Sequence, residues 1–169
     1  MERIKLHQTA EVDVHQVPFV NIDKFNSTLY DIILKEAIHR DKGAWMTEWF
    51  NDSFKEVAEY ALNYISNLDT HPPLRLPFDR NPIELVELWG QLYNVDDHQE
   101  SHDHIPSDLS WIYYVNTPDG SAPLMFEDTD KDIPAQAGDL LVFPAWVRHY
   151  VPKNNCKGRA IIAGNLKYE

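Results

Sequence analysis

Four of the eight histidines are placed where they could bind a transition metal. His98, His102 and His104 fall within seven consecutive positions, and His149 follows a strand and a turn farther along the chain. Imidazole is the commonest transition-metal ligand near neutral pH. Residues i and i+2 of a strand point to the same side, so His102 and His104 can face one interior. His98 and Glu100 have the same spacing and form a competing pair.

The number of residues between these pairs and His149 indicates which class of metal site they could form. Non-haem Fe(II) oxygenases bind the metal through two histidines and usually one carboxylate on one face, with open positions opposite. Their sequence form is His-x-Asp or His-x-Glu, followed by a distal histidine. His149 lies 47 residues after His102 (149 − 102) and 51 residues after His98 (149 − 98), so either pair fits this form.

Arg159 supplies a second chemical signal, ten residues after His149 (159 − 149). It stands at the head of the apolar run 160–163, where burying a guanidinium without an anion is costly. Arginine holds a carboxylate through two parallel hydrogen bonds, whereas lysine acts as a point charge. A dicarboxylate such as 2-oxoglutarate fits this requirement, because one end can chelate the metal while Arg159 binds the other.

The segment Leu109–Asn116 is a predicted strand that carries a further candidate for the same carboxylate. Side chains alternate across a strand, so Tyr113 and Tyr114 point to opposite faces. The tyrosine on the inner face can donate its hydroxyl to the distal carboxylate. Tyr114 is the first choice for this role and Tyr113 the second, and either one is equally compatible with simple core packing.

The elements that must position these residues divide the chain into two parts. Apolar residues at three- and four-residue spacing predict two helices within about 21–70, and alternating stretches in the first twenty residues predict one or two strands before them. From residue 83 onward short strands separated by turn-type clusters are predicted. These strands are 83–95, 109–116, 123–127, 140–143, 148–151 and 159–166. Helices that do not alternate with the strands predict a mainly β protein, a barrel or sandwich with N-terminal helices buttressing one face.

Composition limits the partners and the compartment. The 169 residues fit one domain, and no run approaches the length of a membrane span. A net charge of −12 with scattered basic residues disfavours nucleic acid as a partner. The charged start lacks the apolar core of a signal peptide, and the single cysteine, Cys156, fits a reducing compartment, so a cytoplasmic protein is expected. Symmetric homodimers are common among soluble proteins, and no pattern here decides for or against one.

Residues 92–166 resemble a family of small 2-oxoglutarate/Fe(II)-dependent oxygenases of bacteria and bacteriophages, distantly similar to prolyl hydroxylases. Members carry a His-x-His motif, a Ser-x-x-Tyr-Tyr-Val strand, a Gly-x-Leu-x-x-Phe-Pro-x-Trp-x-x-His segment and an Arg-x-x-x-x-x-Asn strand. The matching residues are His102-Asp103-His104, Ser110, Tyr113-Tyr114-Val115, Gly138, Leu140, Phe143-Pro144, Trp146, His149, Arg159 and Asn165. Asn94 fits the preceding strand, whereas Leu92 stands where the family commonly has tryptophan.

The resemblance favours His102 over His98 and implies that His102, His104 and His149 bind Fe(II). It also exposes a departure from the wider superfamily, because His104 stands where Asp or Glu is usual. His104 is the favoured third ligand. Alternatively, a nearby acid such as Glu100 or Asp103 supplies the carboxylate, or the metal keeps two histidines and an extra open position.

By this resemblance the protein is expected to be a dioxygenase on a double-stranded β-helix (a cupin-like barrel of about 83–169) that uses Fe(II), 2-oxoglutarate and dioxygen. It would hydroxylate a small molecule or a protein side chain and release succinate and CO2. Phe143 and Trp146 are expected to wall the pocket, and the proline-rich run 71–77 is interpreted as an extended connector that could cover its entrance. Two alternatives stay open: a three-histidine metalloenzyme that does not use 2-oxoglutarate, and a non-catalytic jelly-roll binding module.

Overall fold

The computed structural model describes residues 2–7, 10–39, 43–68, 83–127, 129, 132–134 and 136–168. The first half contains β1 (Glu2–His7), β2 (Ala10–Gln16), α1 (Ile22–Glu36), β3 (Ile38–His39), β4 (Trp45–Met46) and α2 (Lys55–Ser66). The second half contains β5 (Ile83–Tyr93), β6 (Gln99–His102), β7 (Leu109–Asn116), β8 (Leu124–Phe126), β9 (Asp132–Ile133), β10 (Asp139–Pro144), β11 (His149–Val151) and β12 (Arg159–Tyr168). The connector predicted at 71–77 lies outside the described residues.

The strands form two antiparallel sheets. The large sheet has the order β1-β2-β10-β7-β12-β5-β4-β3, and the small sheet has the order β6-β11-β8-β9. The protein is therefore mainly β, as predicted, and the two sheets are compatible with a jelly roll. Among the described residues no helix is long and apolar enough to cross a membrane.

Both helices pack on one face of the large sheet. Leu29 and Ile33 of α1 lie four residues apart and are buried, as are Val57, Ala61 and Ile65 of α2. They join one apolar cluster with the outward-facing side chains of β5, β7 and β12. The helical stripes predicted from the sequence are thus confirmed as core.

A second apolar cluster lies between the two sheets. Ile112 and Tyr114 of β7 and Ile161 of β12 belong to it, together with Phe126 of β8 and Val151 of β11. Along β7 and β12, therefore, successive side chains enter different cores, as the pleat of a strand requires.

The predicted strands match the observed ones with small differences at the ends. Strand β5 ends at Tyr93 rather than at residue 95. The carboxylate of Asp97 accepts the backbone N–H of Asn94 at 2.7 Å, and Asp96 takes a left-handed conformation at φ 67°, so the chain turns there. The short strands β3, β4, β6 and β9 were not predicted, because two to four residues carry too little alternation.

Gly164 allows β12 to lie against the indole of Trp111. A Cβ at this position would lie 2.6 Å from the ring atoms Cε2 and Cζ2.

We expect Gly164→Ala to lower the free energy of unfolding by about 1–3 kcal/mol, which is typical of overpacking a core. Urea denaturation measures this effect. In a Trp111→Phe background the same substitution should cost clearly less, and fully additive costs would contradict the steric explanation.

Candidate metal and dicarboxylate site

Three histidines converge between the sheets. His102 ends β6 and is the register partner of His149, which begins β11. His104 follows β6 and is held by its backbone N–H, which donates to the carbonyl of Ala145 at 2.8 Å. The ring centroids are 4.5–5.1 Å apart, and one ligand nitrogen from each ring lies within 4.8 Å of the others. This spacing suits a single metal ion.

Two of the histidines are already in the tautomer that a metal requires. Nδ1 of His102 lies 2.8 Å from the carbonyl oxygen of Glu100, and Nδ1 of His149 lies 2.9 Å from that of Val147. A carbonyl oxygen only accepts, so Nδ1 carries the proton in both rings and Nε2 keeps its lone pair. Hydrogen bonds of this kind fix the orientation of metal-binding histidines.

His104 has a different environment. The side-chain N–H of Asn165 donates to Nδ1 of His104 at 3.2 Å and also to the carboxylate of Glu87. The hydroxyl of Ser110 donates to Oδ1 of Asn165 at 2.7 Å, which fixes the orientation of the amide. His104 thus accepts at Nδ1. Its neutral ring carries the proton on Nε2, so coordination through Nε2 requires this hydrogen bond to rearrange.

Burial keeps two of these rings neutral. It lowers the pKa of His149 to about 3 and that of His104 to about 4, and the neighbouring His102 lowers both further. Phe143 and Phe126 contribute to the burial, with ring centroids 4.9 and 6.1 Å from that of His149. At neutral pH, therefore, protons do not compete with a metal for these two side chains.

The competing acidic residues do not join the three histidines. The carboxylate of Asp103 pairs with Arg148 at 3.5 Å and accepts the backbone N–H of Ile105 at 3.2 Å. Glu100 is exposed, and neither it nor His98 belongs to the metal-ligand group formed by the described residues. In this structure the third position next to His102 and His149 is filled by His104.

Arg159 is completely buried and lines the same cavity as the three histidines. Its Nε donates to the carbonyl of Ala122 at 2.9 Å, and its guanidinium lies 4.6 Å from the ring centroid of Tyr93 and 5.4 Å from that of Tyr114. Among the described residues neither terminal nitrogen of Arg159 has a hydrogen-bond partner, and the same is true of the hydroxyl of Tyr114. A buried guanidinium and a hydroxyl with unused donors could together hold an anion.

Of the two candidate tyrosines, the structure brings only Tyr114 to Arg159. Burial raises the pKa of Tyr114, against the opposing effect of Arg159, so its hydroxyl remains a donor at neutral pH. Tyr113 points to the helices, where its hydroxyl donates to Oδ1 of Asn26 at 2.6 Å. The alternation of β7 thus places the hydroxyl of Tyr113, the second-choice residue, away from Arg159.

One cavity connects the histidines with Arg159, and its walls include residues that sequence reasoning missed. Trp89, Gln91 and Tyr93 of β5 line it, and their i, i+2 spacing was the available signal. Phe143 lines the cavity as expected. Trp146 does not; it follows β10 and is 47% exposed.

Known proteins resemble this chain in structure but not in sequence. No protein-family model matches the chain, and no curated protein matches it in sequence. The chain is similar in structure to a Pseudomonas putida prolyl-4-hydroxylase (TM-score 0.65, 16% identity, 94% of this chain and 92% of that one). It is also similar to the collagen prolyl hydroxylase of Paramecium bursaria Chlorella virus-1 in its 2-oxoglutarate complex (0.67, 12%, 94% and 96%).

A third similar structure is HygX from Streptomyces hygroscopicus, solved with nickel, 2-oxoglutarate and hygromycin B (TM-score 0.70, 10% identity, 95% of this chain and 84% of that one). At such low identity these similarities establish the fold alone. The chain shares the fold of the prolyl hydroxylases and of other structures solved with 2-oxoglutarate.

The metal assignment predicts that His149→Ala weakens the binding of Fe(II), or of Co(II) as its air-stable substitute, by roughly 100-fold or more, since even indirect partners of a metal ligand contribute 10–100-fold. Titration calorimetry under anaerobic conditions measures the affinity. His98→Ala is the matched control and should leave it unchanged. An equal loss in both variants would favour the competing His98 pair.

The buried histidines also predict how stability depends on pH. The unfolded chain binds protons near pH 6.5, whereas His149 and His104 in the folded chain do so only near 3 and 4. Between about pH 6.5 and 4 the unfolded state therefore binds more protons, and the metal-free protein loses stability as pH falls, by at most about 1.4 kcal/mol per pH unit for each histidine. Urea denaturation at several pH values should show a smaller slope in His149→Gln. An unchanged slope would contradict the burial argument.

Proposed function

We propose that this protein is an Fe(II)- and 2-oxoglutarate-dependent dioxygenase that hydroxylates a substrate and releases succinate and CO2. The observation that carries the proposal is the buried guanidinium of Arg159, whose terminal nitrogens have no hydrogen-bond partner among the described residues. It shares one cavity with three convergent histidines. A metal site and a carboxylate site facing each other are what a metal-chelating dicarboxylate requires.

The residues present fit both groups. His102 and His149 present Nε2 lone pairs, and His104 would be the third ligand. Arg159 would hold the distal carboxylate of 2-oxoglutarate through two parallel hydrogen bonds, and the Tyr114 hydroxyl would donate to the same group. When bound, iron would activate dioxygen, which is the oxidant, and the oxidative decarboxylation of the 2-oxo acid would supply two of the electrons.

The rest of the chain would shape and close this site. We infer that the two sheets form a double-stranded β-helix and that residues 1–169 act as one domain, with the helices within 21–70 supporting the barrel of 83–169. The extent of the structural similarity supports this inference, since more than nine-tenths of this chain and of both prolyl hydroxylases are covered. The apolar wall formed by Phe143 and Phe126 would exclude water near His149.

Two kinds of substrate suit the fold. One similar prolyl hydroxylase, from Trichoplax adhaerens, was solved with a peptide of a hypoxia-inducible factor, and HygX was solved with hygromycin B. A protein side chain or a small molecule is therefore the proposed substrate, with dioxygen as co-substrate. The net charge of −12 disfavours nucleic acid.

The rival enzyme, a three-histidine metalloprotein that does not use 2-oxoglutarate, accounts for the histidines but not for Arg159. It would leave a buried guanidinium without an anion, which is costly. A non-catalytic jelly-roll module accounts for neither the convergent histidines nor the unused donors of Arg159 and Tyr114.

Arg159→Ala should weaken 2-oxoglutarate binding by roughly 100-fold or more, because charge-assisted hydrogen bonds contribute about 1.5–3 kcal/mol each. Anaerobic titration of the Fe(II)-loaded protein with 2-oxoglutarate measures this through the weak visible charge-transfer band of an iron-bound 2-oxo acid. Tyr113→Phe is the control and should keep the band.

The outcomes separate the candidates. A band in the wild-type protein that is lost in Arg159→Ala supports the proposal. Iron binding without a band favours the three-histidine enzyme that does not use 2-oxoglutarate. No iron binding at all favours the non-catalytic module.

A further inference from the structure

Two indoles and one carboxylate adjoin His104 and its partner Asn165, and they belong neither to the three histidines nor to the Arg159 site. We define this recognition wall as Trp49, Trp89 and Glu87. Trp89 is buried, lines the cavity, and has its ring centroid 5.9 Å from that of His104. Trp49 meets the edge of Trp89 at 5.0 Å and is 45% exposed. The two indoles thus lead from the metal site to the surface.

The outer indole is held in place by the backbone. The N–H of Thr47 donates to the carbonyl of Gly90 at 3.0 Å, and the N–H of Phe50 donates to the carbonyl of Leu88 at 2.7 Å. Phe50 adopts a left-handed conformation at φ 55°, which is uncommon for a bulky residue and costs free energy. The chain therefore keeps Trp49 against Trp89 at an energetic cost while leaving much of its surface exposed.

Glu87 brings negative charge to the rim of this wall. It lies two residues before Trp89 on β5 and so points to the same face, and it is half-buried. Its contact is the side-chain N–H of Asn165, and among the described residues it pairs with no lysine or arginine. A half-buried carboxylate that pairs with no lysine or arginine among the described residues, on the same strand face as Trp89, favours a positive ligand.

Trp89 adds an independent requirement. It is 6% exposed, and its indole N–H has no acceptor among the described residues. A buried N–H of this kind is costly unless a ligand supplies the acceptor. The ligand should therefore carry an oxygen as well as a positive charge.

We propose that the substrate is an organic cation, an ammonium or guanidinium group with a neighbouring oxygen acceptor, bound by the recognition wall. The cation would lie against Glu87 and the face of Trp49, and the oxygen would accept from the indole N–H of Trp89. In this position the carbon atoms next to the cation would face the metal site. The chemistry performed on them rests on the proposed function. The net charge of −12 would attract such a substrate over longer distances.

Two pairs of probe molecules test the proposal. Within each pair the two molecules have nearly the same structure, but only one of them carries a positive charge. Nα-acetyl-L-lysine methylamide is compared with Nα-acetyl-L-norleucine methylamide, and glucosamine with glucose. Calorimetry on the protein loaded with Ni(II) and 2-oxoglutarate measures binding without turnover. We expect the cation of at least one pair to bind about tenfold more tightly than its neutral partner, and the responding pair distinguishes a peptide from an amino-sugar source.

Matched variants tie this preference to the wall. Glu87→Gln keeps an acceptor for Asn165 and should reduce the charge preference to about none. The preference is read as the ratio of the two affinities within a probe pair, so a change in metal or 2-oxoglutarate loading affects both probes alike. Asp103→Asn also removes one negative charge, from a carboxylate that pairs with Arg148, and should keep the preference. Trp49→Ala should weaken binding of the cation, whereas Trp45→Ala, whose ring contacts His39, should not.

The results separate this inference from the proposed function. If the protein binds 2-oxoglutarate but neither cation is preferred, or if the preference survives Glu87→Gln, the recognition wall is overturned and the dioxygenase proposal stands. If 2-oxoglutarate does not bind, the dioxygenase proposal fails. The same probe pairs on the metal-free protein then still decide whether the wall selects cations.

Discussion

The placement of β12 between β5 and β7 is the constraint on which the site depends. Both pairings are antiparallel, and their registers bring Arg159 opposite Tyr93 and Asn165 opposite Ser110. Side chains alternate along β12, so Ala160 and Ile162 enter the helix-facing core while Ile161 and Ala163 face the small sheet. A shift by one residue would move Arg159 into the apolar core under the helices and remove the anion site.

The site is polarised along this strand. Arg159 lies buried in the cavity at the start of β12, and the carboxylate of Glu87 contacts Asn165, six residues farther along the same strand. His102 and His149 are register partners on the small sheet, and His104 contacts Asn165. Arg159 attracts a negatively charged ligand and Glu87 attracts a positively charged one. Each residue also repels the ligand that the other attracts, so the two ligands would be kept apart.

The histidines are not equivalent, although their spacing suggests that they are. His102 and His149 donate Nδ1 protons to backbone carbonyls two residues before them, so their own strands set the tautomer. His104 accepts from a side chain of another strand, so the Ser110–Asn165–Glu87 network controls it. His104 stands where an acid is usual, and it is therefore the histidine whose tautomer depends on side chains of neighbouring strands.

Much of the fold and part of the site followed from local patterns. Residue type and spacing, which the sequence displays directly, indicate several features. These are the apolar stripes of the helices, most of the longer strands, the cluster of histidines and the isolated Arg159. The resemblance favoured His102 over His98, and the structure brings His102, but not His98, together with His104 and His149 among the described residues.

What the sequence by itself determined was therefore a set of residue types at strand and helix periods: a mainly β chain with two helices, a histidine cluster and one arginine that needs an anion. Only the tertiary structure decided which residues share a cavity. Tyr114 rather than Tyr113 faces Arg159, Trp146 is excluded, and Trp49 reaches Trp89 from a distant segment. The physical reason is that these choices depend on strand register and on contacts between residues far apart in the chain, which no local pattern encodes.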